Sequence, residues 1–242
     1  MLQITRIRLV GLWASVTMLL IAASACDNVP ELNQPRERSY LSVIHAFDDI
    51  NSIDIDLESF GERKTVAEAV EFNSSWPRSG YASLLSEAGA GPQDTGVVIV
   101  LKDWRNKDQI SPARVLSLYP GGRTTVGIID SFGKADLVQI QDDFELPAPG
   151  ASNLRFMNLC HLFPAVDLVS EDGDIRIEKI NYLLASRFNS YPSGTKTLYL
   201  VQSFTGEKID SLADFSLRSR KTYNIYLTQD GDTPKFGSIE LE

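Results

Sequence analysis

The chain of 242 residues is 43% hydrophobic, which is enough to build one or two hydrophobic cores. Its formal net charge of −9 would be repelled by phosphate groups, so we expect no nucleic-acid partner. The sequence holds no phosphate-binding loop and no motif of a serine hydrolase or a zinc protease. It therefore predicts no cofactor, no metal site and no catalytic residue.

Residues 1–25 have the layout of a secretory signal peptide. Two arginines precede an apolar run of 14 residues (9–22), shorter than the roughly 20 residues that span a bilayer. Small residues then lead directly to Cys26. This ending resembles the lipobox of bacterial lipoproteins, which implies that Cys26 is lipidated and becomes the mature N-terminus. The alternative is an ordinary secreted protein cleaved near Ala25.

Residues 26–38 are polar, contain two prolines and show no periodicity, so they predict a flexible tether after the lipidated Cys26. Loss of residues 1–25 would remove two arginines and change the formal charge from −9 to −11. With Cys26 acylated, Cys160 is the one remaining thiol and no intramolecular disulfide can form. We therefore expect a cell-envelope protein anchored to a membrane by its N-terminal lipid. It would lie on the periplasmic or outer surface, with the outer membrane favoured over the inner.

An internal repeat organises the rest of the chain. Residues 41–47 (LSVIHAF) and 154–160 (LRFMNLC) correspond at an offset of 113, and each leads through a loop into a strand with the pattern small, apolar, Asp, apolar. Residues 122–128 and 220–226 correspond at an offset of 98. The chain therefore contains two copies of one domain.

Alternating apolar and polar residues predict strands throughout both copies. Residues 53–58 alternate strictly, which predicts an apolar face on the core and an acidic face in solvent. About seven short strands per hundred residues indicate an all-β chain of two tandem immunoglobulin-like β-sandwich domains. We place the first domain at 39–146, a linker at 147–151 and the second domain at 152–242.

Two further marks of the second copy are a Pro-x-Gly turn (192–194) and a strand that begins basic-x-Tyr (221–225). With the opening pattern of both copies, they resemble a family of bacterial exported proteins built of tandem β-sandwich domains and catalogued only as a domain of unknown function. The resemblance covers about 39–242 and departs in the first copy, where Thr125 stands in place of Tyr223. It implies an envelope location and an immunoglobulin-like fold, and it implies no reaction.

Cys160 and His161 are adjacent, which raises the question of a nucleophilic dyad. Such a dyad needs an orienting partner, and the sister loop carries Phe47 and Asp48 instead. We therefore interpret the pair as neighbours in a loop. His45 corresponds to Asn158 in the repeat, and both can bind nearby backbone, which is the role that we predict for them.

Trp76 and Trp104 are the strongest candidates for contact with a partner. Each lies in a polar stretch, and the long segment from 72 to 96 also holds Tyr81. Aromatic residues on the loops of a rigid sandwich are typical of contacts with proteins or glycans. The alternative is that each tryptophan closes one end of a core.

Two hypotheses of different classes follow. In the first, the protein is a non-catalytic, lipid-anchored component of the cell envelope that binds or scaffolds another surface protein or glycan. Trp76, Tyr81 and Trp104 would then contact the partner. In the second, it is a hydrolase that uses carboxylates on a loop face. The sequence selects no pair of carboxylates, so we favour the first.

Overall fold

The computed structural model describes residues 38–59, 62–85, 95–131 and 133–241. The predicted signal peptide, Cys26 and nearly all of the tether lie outside these ranges. The described residues form strands and no helix, so the all-β prediction is confirmed. The strands are β1 (Arg38–Ala46), β2 (Ser52–Ser59), β3 (Glu62–Glu71), β4 (Ser74–Trp76), β5 (Ala82–Leu85), β6 (Thr95–Asp103), β7 (Arg114–Leu118), β8 (Arg123–Asp130), β9 (Ala135–Gln141), β10 (Ala151–Asn158), β11 (Ala165–Ser170), β12 (Arg176–Asn181), β13 (Asn189–Pro192), β14 (Gly194–Gln202), β15 (Lys208–Leu217), β16 (Thr222–Asp230) and β17 (Thr233–Glu240).

The first copy is a sandwich of two sheets. One has the order β4-β1-β8-β9, with β5 also pairing with β1, and the other has the order β3-β2-β6-β7. Alternate side chains of each strand point between the sheets, among them Leu41 and Val43 of β1 and Val126 and Ile128 of β8. These side chains form the first core.

The second copy repeats this arrangement, with sheets β13-β10-β16-β17 and β12-β11-β14-β15. In both copies the first strand runs parallel to the next-to-last strand, β1 to β8 and β10 to β16. Leu41 pairs with Thr124 in the first copy, and its counterpart Leu154 pairs with Tyr223 in the second. The predicted match of Thr125 with Tyr223 is therefore wrong by one position. The residue types alone did not show which side chains of these strands face the core.

The two sandwiches share a third core, which the sequence did not predict. Ile44 and Ile129, on the back of β1 and β8, belong to the same buried cluster as Met157 of β10 and Tyr226 of β16. The four sheets are therefore stacked face to face, and the sheets that contain β1 and β10 are the two inner ones. The central strands β1, β8, β10 and β16 are buried on both faces, as their burial patterns show.

A closed network of polar side chains lies inside this interface. The Asp142 carboxylate accepts a hydrogen bond from Arg155 at 2.5 Å. It also accepts from the hydroxyls of Thr125 at 2.6 Å and Tyr81 at 2.7 Å. Asn224 accepts from Arg155 Nε at 3.0 Å and donates to Thr125 at 3.1 Å. The side chains of Asp142 and Arg155 are 0% and 2% exposed, so each charge depends on the other for compensation.

His45 and Asn158 hold equivalent loops in the two copies. His45 Nε2 donates to the carbonyl of Ile50 at 2.9 Å, and Nδ1 accepts from the Phe47 amide at 3.4 Å. Asn158 donates to the carbonyl of Phe163 at 2.9 Å and accepts from the amide two residues ahead at 3.2 Å. The prediction that both side chains bind nearby backbone is confirmed, and each brace spans the same positions in its loop.

The Asp shared by the two copies has a structural role of the same kind. Asp54 accepts from the Ala69 amide at 3.1 Å, and Asp167 accepts from the Lys179 amide at 2.7 Å. Both donors lie at positive φ, 50° for Ala69 and 56° for Lys179, where the register of the neighbouring strand shifts. Each aspartate therefore holds a β-bulge in the strand beside it.

The prediction that residues 53–58 place an acidic face in solvent is wrong for Asp54 and Asp56, which are 4% and 1% exposed. Lys107 covers Asp54, with Nζ at 2.6 Å from the carboxylate. Lys102 forms an ion pair with Asp56, and the Thr65 hydroxyl donates to it at 2.7 Å. The long side chains of Lys102 on β6 and of Lys107 in the connection after β6 thus bury these carboxylates on the outer face of the sandwich.

Candidate functional site

A groove of about 560 Å³ opens among the described residues. This lies within the range of roughly 300–1,000 Å³ that is usual for ligand sites. The groove forms where three strands at sheet edges meet, β3 and β4 from the first copy and β17 from the second. We call it the edge groove, and its lining includes Glu68, Glu71, Trp76, Arg78, Gly237 and Ser238.

Trp76 is one wall of the edge groove. Its position is set by β4, where it pairs with Val43 of β1. The side chain is half-buried and packs against the first core, and it also lines the groove. The ring of Trp76 therefore contributes to the core and also borders the cavity, and its contact with a partner stays a prediction.

The floor of the groove comes from the second copy, which sequence reasoning missed. A Cβ at Gly237 would lie 2.2 Å from the ring of Tyr226, so only glycine fits above this ring. In the first copy the equivalent cross-strand pair is reversed, with Gly127 opposite Val138. A glycine within a strand is a sign of close approach, and it was the available signal here.

The charged side chains on the groove are exposed and unpaired. Glu68 and Glu71 lie on β3, and Arg78 follows β4. Within the described ranges none of the three forms an ion pair. The lining thus offers two carboxylates and one guanidinium, which are available to a bound partner.

Trp104 lies elsewhere, on the connection between β6 and β7, and it does not line the edge groove. It is 45% exposed, and Lys107 Nζ lies 5.7 Å from its ring centroid. The equivalent connection in the second copy exposes Phe204, at 73%. The structure therefore does not bring Trp76 and Trp104 into one site.

Tyr81 packs in the third core rather than on the groove. Burial raises the pKa of its hydroxyl far above the usual value, and the neighbouring Asp142 carboxylate adds to this effect. The hydroxyl donates its hydrogen bond to Asp142 inside the protein. Tyr81 therefore stabilises the interface between the sandwiches, and we do not include it in the binding surface.

Cys160 and His161 do not form a catalytic dyad. Burial raises the pKa of the Cys160 thiol to about 11, so it stays protonated at neutral pH. The thiol and the His161 amide both donate to Gln229 Oε1, at 3.3 Å and 2.9 Å. Gln229 thus holds this loop, in agreement with the interpretation of the pair as neighbours in a structural turn.

The two aspartates of the turn between β11 and β12 are already paired within the chain. Lys196 forms ion pairs with both Asp172 and Asp174. In the part of the chain that the structure describes, no group of three or more His, Cys, Asp or Glu residues could hold a metal ion. In that same part, no helix is long and apolar enough to cross a membrane.

No family model matches the chain. No curated protein matches it either. Among solved structures it is similar to a family 26 carbohydrate-binding module of Amy13K from Eubacterium rectale, solved with maltoheptaose, at 10% identity and a TM-score of 0.27, over 78% of this chain and 92% of that one.

A second similar structure is a candidate cell adhesion protein from Bacteroides uniformis, at 8% identity and a TM-score of 0.24, over 84% of this chain and 96% of that one. The TIE protein of Bacillus anthracis is similar at 10% identity and a TM-score of 0.24, and the match spans 79% of this chain and 34% of that protein.

Proposed function

We propose that the protein is a non-catalytic component of the cell envelope that binds another surface component in the edge groove. The observation that carries this proposal is the groove itself, where an aromatic wall, unpaired charges and the edges of three strands meet in one cavity. A cavity with an apolar wall and a few convergent polar groups is the usual form of a binding site.

The hydrolase alternative gains no comparable support. A general acid needs a carboxyl group held against an apolar wall, which keeps it protonated at neutral pH. The acids on the edge groove, Glu68 and Glu71, are both exposed. The groove therefore offers groups suited to recognition.

The binding proposal is tested by reversing a charge on the groove. Glu71→Lys should abolish capture of the natural partner from envelope extract, because Glu71 lines the groove and is exposed. Asp108→Lys is the matched control, since Asp108 is equally an exposed acid but lies in the connection that holds Trp104. If Asp108→Lys abolishes capture and Glu71→Lys does not, the Trp104 connection is the binding site and the groove is not.

The proposal includes an anchor at Cys26, which rests on the sequence alone. Cys26→Ser should release the protein from membranes or stall the precursor before cleavage. Fractionation of cells and the intact mass of the purified protein measure both effects. Unchanged membrane partition, with no acyl mass on the wild type, would show that the chain is not a lipoprotein.

A further inference from the structure

The outer edge of β17 exposes main-chain groups to the edge groove. Leu241, which follows β17, donates to the Thr222 carbonyl at 2.8 Å, so odd-numbered residues of this strand form the hydrogen bonds to β16. In an antiparallel ladder the residues between them point their N–H and C=O groups the other way. Ser238, which lines the groove, is one of these outward residues.

The chain already uses the positions on either side of Ser238. The Gly80 amide donates to the Glu240 carbonyl at 2.7 Å, and the Asn73 side chain donates to the Phe236 carbonyl at 3.5 Å. Between these contacts, the N–H and C=O of Ser238 have no hydrogen-bond partner among the described residues. The segment from Asn73 to Gly80 thus runs beside β17 and leaves a gap at Ser238.

Building on the proposed function, we propose that the edge groove binds an extended peptide segment of a partner protein, which adds to the edge of β17 at Ser238. Main-chain donors and acceptors on a strand edge are the groups that such strand addition uses. Trp76 would pack against one peptide side chain.

Charge favours a basic peptide. The exposed charged groups on the groove are two carboxylates, Glu68 and Glu71, against the single guanidinium of Arg78. A lysine or arginine of the bound segment therefore gains a carboxylate partner that the protein itself leaves unpaired. A glycan supplies neither the main-chain hydrogen bonds nor the positive charge.

The test uses a phage-displayed library of random 12-residue peptides, panned against the full chain in detergent. We expect selection of peptides that contain basic residues. The affinity of one selected peptide is then measured by fluorescence anisotropy for two variants. Ser238→Pro removes the outward N–H, and proline is tolerated where the N–H of an edge strand faces solvent. Ser238→Ala keeps the N–H and is the matched control.

Ser238→Pro should weaken peptide binding at least tenfold, and Ser238→Ala less than twofold. Equal binding by Ser238→Pro would overturn strand addition. Should the proline variant fail to fold, exchange of the Ser238 amide in the wild type decides, since the peptide must slow it. No selected peptide, together with capture of a glycan that Glu71→Lys abolishes, would refute this inference and leave the proposed function standing. Capture unaffected by Glu71→Lys would refute both.

Discussion

Replacement of His45 by asparagine should remove a defined part of the pH dependence of stability. Burial lowers the pKa of His45 from 6.5 to about 4, opposed by its hydrogen bond to the Ile50 carbonyl. The folded protein therefore keeps this imidazole neutral, with Nε2 donating to Ile50 and Nδ1 accepting from Phe47. The unfolded chain takes up the proton first as the pH falls.

The sign and size follow from this difference in pKa. Above pH 7 both states carry neutral His45 and the residue adds no pH dependence. Between about pH 6.5 and pH 4 the unfolded state binds more protons, so stability is lost as the pH falls. At pH 5 the loss is about 2 kcal/mol, and it levels off near 3 kcal/mol below pH 4.

The assay is urea unfolding of wild type, His45→Asn and His45→Ala at several pH values from 5 to 8. The difference in free energy of unfolding between the wild type and His45→Asn isolates the titration of His45, because all other titrating groups are the same in both proteins. Asparagine should keep the brace, since Asn158 does so in the second copy. Alanine should cost about 1–3 kcal/mol at pH 7, because it leaves the buried Phe47 amide and the partly buried Ile50 carbonyl without their side-chain partner. A wild type minus His45→Asn difference that does not change between pH 8 and pH 5 would show that the buried ring is not held neutral.

Three other outcomes are expected. Asp142→Ala should lower the free energy of unfolding by about 3–5 kcal/mol, because it leaves the buried charge of Arg155 without a partner. Replacing Asp142 by Leu and Arg155 by Met together should cost less than this single change. Chemical denaturation measures both effects, and a double variant less stable than Asp142→Ala would contradict this expectation. Asp54→Ala and Asp167→Ala should each lower the free energy of unfolding by about 1–3 kcal/mol, because each loses the hydrogen bond that holds a β-bulge. If either variant is as stable as the wild type, that aspartate does not stabilise its bulge. Cys160 should resist a thiol reagent in the native state and react once urea unfolds the chain, whereas rapid native labelling would show that its loop opens.

The sequence predicted the parts of the fold that depend on local pattern. Alternation and the repeat were sufficient for the strands, the two sandwiches and the shared role of His45 and Asn158. The buried acids were missed because Lys102 reaches Asp56 from β6, and Lys107 reaches Asp54 from the connection after β6. An alternating strand alone does not show which neighbours cover its polar face.

The third core and the edge groove depend on contacts between distant segments. Ile44 and Met157 each lie on one face of a strand, β1 and β10, whose other face was already assigned to a core. A second buried face was therefore not predicted. The run of apolar residues without strict alternation was the available sign of burial on both faces. For the groove, the sequence analysis identified Trp76, but the floor of the groove comes from β17, which is distant in sequence.

The reversed cross-strand pair makes the two halves of the molecule complementary rather than interchangeable. The pair is Gly127 with Val138 in the first copy and Tyr226 with Gly237 in the second. A half joined to another of its own kind would place either two glycines or two tyrosines at the shared face, which leaves a void in one case and overfills the space in the other. Each half is therefore suited to its covalent neighbour and poorly suited to the same half of another molecule. The duplication thus carries its own protection against the pairing of like halves between chains.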